Sequence, residues 1–345
     1  MSAIKNFDDL FHRLGLNTSN GLYFFNDTQW KTKLHFPSRI ERLLQEKIRP
    51  DAFFCIDNKP LILFFTSPTD NDFYKKIWNF NESPIVIVAH NDSITIYNGF
   101  KYNISLMELD QFGAAEKEID NFTYFSLVTG KTWEHYQKEL AHENRLDSFL
   151  LNNIKTARNI LVTKKHLTVK IANALIGKCI FVRYLLDRKV ELNVQGYLKR
   201  WNNAGFCELL SDISSTRSFF DYIKQKFNGD DIFGLTDSEY DQIKSEDLDV
   251  LIRLLKSEDL ETGQRSLFDI YDFSIIPIEF ISNIYELFIG KDRQEEQGAY
   301  YTPLFLVDYI LAETIEKKFL NYPQADGCII LDPACGSGIF LVEAL

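Results

Sequence analysis

CIILDPACGSGIFLVEAL, residues 328–345, holds the arrangement from which the rest of the chain is read. Cys328 to Leu331 is a short buried strand candidate, Asp332 to Gly338 a glycine-rich turn, and Ile339 to Leu345 the start of an apolar helix. Strand, glycine turn and helix form a cofactor site at the carboxyl edge of an α/β sheet. Gly336 and Gly338 let the backbone pass close to a ligand, and the helix that follows aims free N–H groups at it. No Lys follows the glycines, which excludes the phosphate loop of nucleotide hydrolases, and the third glycine of the dinucleotide pattern is missing. Taken alone, the turn is equally a tight strand-to-helix connection.

Upstream, QGAYYTP at 297–303 is a turn-like stretch rich in aromatic and hydroxyl groups. Pro303 is placed to open a helix containing Phe305, Tyr309, Ile310 and Ile315. DPACGSGIFL resembles the first cofactor motif of amino-methylating DNA methyltransferases, particularly the adenine-N6 group, and GAYYTP resembles the motif that precedes it there. The two stand in the right order, about thirty residues apart. The lead-in FDIYDFSIIPIEFISNIYELF and the helical region before it are similar to those of type I modification subunits and of single-chain type IIG restriction-modification enzymes.

The resemblance implies S-adenosylmethionine as cofactor and a Rossmann-like methyltransferase domain. By position it puts Tyr301, Thr302 and Pro303 at the methionine end, Thr302 meeting the carboxylate, and Asp332 supporting the turn or contacting the methionine amino group. Ala334, Gly336 and Gly338 would supply backbone beside the cofactor, while Cys335 and Tyr300 are packing residues. The family's Asn/Asp-Pro-Pro-Tyr/Phe motif, which holds the flipped base, is absent from these residues. The expectation is therefore the front part of a longer, site-specific adenine-N6 DNA methyltransferase of a restriction-modification or phage-defence system, truncated and inactive as given. Cytosine-N4 methylation and a non-catalytic DNA-binding or assembly module are the alternatives. The expected partners are double-stranded DNA and a specificity or restriction subunit.

Charge bears on the DNA partner. The net charge of −11 disfavours a surface that wraps nucleic acid as a whole. Yet residues 153–200 hold eleven Lys or Arg against two acids, a local +9, and residues 201–261 hold fourteen acids against six bases, a local −8. Lys164, Lys165 and Lys170 are the candidate phosphate contacts. The alternative is that these lysines cover helices whose acidic partners lie in the next segment. Trp201, beside Lys199 and Arg200, is either a base-stacking residue or a junction aromatic.

The chain has 345 residues, 45% of them hydrophobic, with 29 Phe and 16 Tyr, which describes a folded globular protein rather than a disordered one. Five cysteines without a C-x-x-C pair fit a reducing compartment, and the absence of a leader-like start or a long apolar run makes the cytoplasm, with no membrane partner, the expectation. The six histidines lack metal-ligand spacing, so no metal site is expected.

Three regions follow from the texture. Residues 1–130 read as a small mixed α/β domain, with a helix capped by Ser38 and stopped at Pro50. Its strands are Ala52 to Ile56, Pro60 to Phe65, Ile85 to Ala89 and Ile94 to Tyr97, with turns at Asp57-Asn58 and Asn91-Asp92. Glu41 and Pro50-Asp51 imitate a PD-(D/E)xK nuclease, but Phe64-Phe65-Thr66-Ser67 stands where Glu-x-Lys belongs, so the fold would be a degenerate nuclease at best. Residues 131–290 read as helical, with helices at 145–160, 167–186 capped by Thr163, 216–227, 237–256 and 278–289. Residues 291–345 begin the methyltransferase domain.

Overall fold

A computed structural model of the chain describes residues 7–90, 93–192, 194, 196–227, 234–258, 260, 270–277, 280, 284, 288, 302, 304–322, 324, 327–333 and 339–344. They group into two compact units, one formed by Met1–His35 with Leu43–Ile276, the other by Phe36–Arg42 with Pro277–Leu345.

The first unit is built on a six-stranded mixed sheet in the order β1 (Leu22–Phe24), β2 (Ala52–Ile56), β3 (Lys59–Thr66), β4 (Ile85–Ala89), β5 (Ile94–Asn103) and β6 (Glu108–Gln111). Asp57 and Asn58 both take positive φ, 50° and 58°, which is the two-residue turn that lets β2 and β3 pair antiparallel. β3 and β4 pair in parallel and therefore need a crossover, supplied by helix Phe73–Phe80. The expected turn at Asn91-Asp92 lies outside the described residues, but the antiparallel pairing of β4 with β5 is present. β5 runs on to Asn103, well past the expected end. Gly99 permits this, because a Cβ there would lie 2.0 Å from the Ser83 carbonyl oxygen.

Both faces of the sheet are covered, which explains strands that are apolar throughout rather than alternating. Phe54, Ile62, Phe64, Ile87 and Ile96 face Leu10, Phe11 and Leu14 of helix Phe7–Leu14, together with Ile119, Phe122 and Tyr136. On the other face Phe65 meets Phe73 at 4.7 Å and Phe53 meets Trp30 at 5.4 Å between ring centroids.

The helices of 146–255 surround Val169–Asp187, which is buried on nearly all sides. Its cap is Thr168, whose side chain accepts from the Ile171 N–H, and not Thr163. Thr163 lies in the π turn Ile160–Lys164 that follows helix Leu146–Asn159, with its hydroxyl donating to the Asn159 carbonyl at 2.7 Å. The helix expected at 237–256 is two, Asp237–Tyr240 and Ser245–Leu255, because the Asp247 carboxylate accepts from the Lys244 N–H at 2.8 Å and starts a second helix. The helix expected at 216–227 begins at Ile213, since Asp212 accepts from the Ser215 N–H at 2.7 Å.

In the second unit, helix Leu304–Leu311 continues through a π turn, Ala312–Glu316, into Lys317–Asn321, and Ile339–Glu343 forms a further helix. The helix expected at 278–289 falls mostly outside the described residues. Cys328–Leu331 does not form the expected buried strand: Ile329 is fully exposed and Leu331 85% exposed. Its apolar residues favour a strand only where neighbouring strands supply a ladder and a covered face, and no such partner exists among the described residues. Among the described residues no helix is long and apolar enough to cross a membrane.

Candidate functional site

Of the seven residues expected at the cofactor, Tyr301, Pro303, Ala334, Gly336 and Gly338 lie outside the described residues. Thr302 and Asp332 are both half-buried, and one carboxylate oxygen of Asp332 is shielded from solvent. As chemical types, a hydroxyl and a carboxylate are a donor and an acceptor of the kind an amino-acid tail takes. Helix Leu304–Leu311 begins just after Thr302, and helix Ile339–Glu343 begins at the residue after Gly338 in the sequence. The two helices pack on one another, with Val307 and Ile339 buried. Each sequence motif is thus attached to the leading end of a helix, and those helices meet.

Residues 277–345 match the N-6 DNA methylase family. The match supports an adenine DNA methyltransferase family for this segment and spans the last fifth of the chain. No significant match exists among curated proteins or solved structures. Both motifs, at 297–303 and 332–338, lie inside the matched residues.

The front of the molecule offers little for nuclease chemistry. Asp51 opens β2, and its carboxylate accepts the Thr66 N–H at 2.6 Å, while its own N–H donates to the Phe64 carbonyl at 2.9 Å. The pairing of Phe53 with Leu63 places Leu63 and Phe65 on the face of β3 shared with Asp51. Both are buried and apolar. No group of three or more His, Cys, Asp or Glu suited to a metal occurs among the described residues.

The basic segment is partly absorbed by the acidic one. Lys165 pairs with Glu246 at 3.4 Å and Lys170 with Glu239 at 2.7 Å, the latter holding the Glu239 carboxyl below the usual range. Arg200 pairs with Glu208, while Arg183 pairs within the basic segment itself, with Asp187 at 2.8 Å. Lys164 is exposed and has no ion-pair partner among the described residues. Trp201 donates its indole N–H to the Val190 carbonyl at 3.0 Å, a packing role at a junction.

A cavity of about 260 Å³ that sequence reasoning did not find is lined by Leu175, Ile213, Thr216, Arg217, Tyr240 and Asp241. Its residues come from three separated segments, so no local pattern announces it. Its polar groups engage each other: Lys178 donates to the Tyr240 hydroxyl at 2.5 Å, and Arg217 pairs with Asp237 and Asp241 while lying over the Tyr240 ring. Burial pushes the Tyr240 phenol well above its ordinary value.

Proposed function

We propose that this chain belongs to a DNA methyltransferase that transfers a methyl group from S-adenosylmethionine to adenine N6 in double-stranded DNA, within a restriction-modification or phage-defence system of type IIG or type I organisation. The observation that carries the reading is the family match over 277–345, which encloses GAYYTP and DPACGSG in order. The packing of the two helices that follow those motifs supports it. The proposed order is a degenerate nuclease-like domain over 1–130, a helical domain over 131–290 and the methyltransferase domain from 291.

In this reading the Thr302 hydroxyl donates to the carboxylate of the methionine part, and Asp332 accepts from its amino group. Tyr301, Pro303, Ala334, Gly336 and Gly338 complete the contact. When bound, the cofactor supplies an electrophilic methyl group. The residues of this chain bind and orient it and keep water from it; the base-holding motif is not among them. Lys164, Lys165 and Lys170 are proposed to meet DNA phosphates, and a specificity or restriction subunit is the proposed protein partner. The test is methylome sequencing of the native host with the gene intact and deleted. Loss of N6-methyladenine at one sequence context on deletion supports the proposal, and an unchanged methylome contradicts it.

A further inference from the structure

Residues 270–276, IYDFSII, have no regular secondary structure, yet Ile270, Tyr271, Phe273, Ile275 and Ile276 are all buried. An irregular backbone out of contact with water must find partners for its polar groups. Here buried and half-buried side chains supply them for 270–273, while the Ile275 and Ile276 N–H groups turn back onto the Asp272 carbonyl. Asn79, on the crossover helix Phe73–Phe80, donates from Nδ2 to the Ile270 carbonyl at 2.9 Å and accepts at Oδ1 from the Asp272 N–H at 2.8 Å. One amide group thus reads the backbone at positions two apart, as a paired strand would.

The long helix Val169–Asp187 provides the other side. Arg183 donates to the Tyr271 carbonyl at 3.0 Å, and Asp187 accepts from the Phe273 N–H at 2.9 Å. Arg188, the next residue, donates to the Phe273 carbonyl at 3.2 Å. The ion pair between Arg183 and Asp187 is almost wholly enclosed and holds both side chains in register. Asn153 donates to the Tyr271 hydroxyl at 2.7 Å, and the Tyr271 ring stacks on Trp78. Four of these five contacting residues bind main-chain atoms, so the groove recognises the backbone of 270–273, with one aromatic side chain fixing its register.

We propose that Asn79, Asn153, Arg183, Asp187 and Arg188 form a receptor for the main chain of residues 270–273, that the turn Asp272–Ile276 closes the segment behind it, and that the filled groove is a clasp which opens and closes as one cooperative unit. The clasp fixes the end of the first unit at the point where the methylase-matching segment departs, and it holds whether or not that segment binds a cofactor.

Hydrogen exchange on the full chain tests the proposal, because cooperative sub-global opening leaves a shared exchange rate. In the wild type the Asp272 and Phe273 amides should exchange at one shared rate, protected relative to exposed loop amides but faster than those of β3. Asn79→Ala should accelerate both together by about 100-fold while β3 stays unchanged. Tyr271→Phe removes the hydroxyl that accepts from Asn153 and keeps the ring, and it should accelerate the same two amides by about 10-fold. That milder variant decides the matter if Asn79→Ala does not fold. Fast exchange of the two amides in the wild type, acceleration of Asp272 alone, or equal acceleration of β3 would each overturn the proposal.

Discussion

Asp51 illustrates how one residue's surroundings decide its chemistry. A carboxylate free to hold a hard cation needs oxygen or nitrogen partners beside it. The Asp51 carboxylate instead accepts a backbone N–H from Thr66, and the neighbouring face of β3 offers Leu63 and Phe65. Burial likewise silences cysteines. It pushes the thiols of Cys55 and Cys179 well above their ordinary value, so the reactive thiolate is scarce. Iodoacetamide followed by mass spectrometry should leave both unmodified in the folded protein and label both after unfolding, whereas the half-buried Cys328 should react in the native state. Asp70 carries a pH dependence. The Lys76 ammonium and the Asp72 N–H hold its carboxyl below the ordinary value of 3.8. A carboxyl lowered on folding stabilises the protein above that ordinary value, and the effect is lost as pH falls through the folded one. The difference in melting temperature between wild type and Asp70→Asn should be largest near neutral pH and vanish in acid; a difference that grows on acidification would contradict the assignment.

Elements were legible where local chemistry suffices. β2 and β4 lie where their apolar runs put them, because each is flanked by turn residues and covered on both faces. Short strands were not legible: β1 and β6 have three and four residues and owe their structure to the strand beside them. Cys328–Leu331 is the converse, a strand-like run with no ladder among the described residues. Helix boundaries failed where two capping residues competed, as at Thr163 and Thr168. Since only Thr168 accepts the Ile171 N–H, Thr168→Ala should cost about 1 kcal/mol in urea unfolding, and Thr163→Ala clearly less. Equal costs would show that the cap has been misplaced. The cofactor motifs were legible as strings, because a glycine turn between strand and helix is a local pattern. The clasp was not, because Asn79 and Asp272 are brought together only by the fold.

At the scale of the whole molecule, charge partition along the chain does not translate directly into a charged face. Part of the local +9 is taken up by ion pairs with the acidic segment, as Lys165, Lys170 and Arg200 show. Surface pairs of this kind contribute little to stability, but they lower the local field available to a phosphate. Reversing Lys165 or Lys170 would therefore disturb internal pairs together with the proposed DNA contacts. Lys164→Glu separates the two effects. It should weaken DNA association at low salt and reduce the salt slope by about 1, with unfolding by urea unchanged. An unaltered slope would remove Lys164 from the DNA surface.

The proposed activity requires GAYYTP and DPACGSG to meet one methyl donor. Photo-crosslinking of methyl-labelled S-adenosylmethionine to the gene product, followed by peptide mapping, reads this directly. Label within 297–303 or 332–338, competed by unlabelled cofactor, is the predicted result. Label confined to other peptides, or label that unlabelled cofactor does not displace, would contradict it.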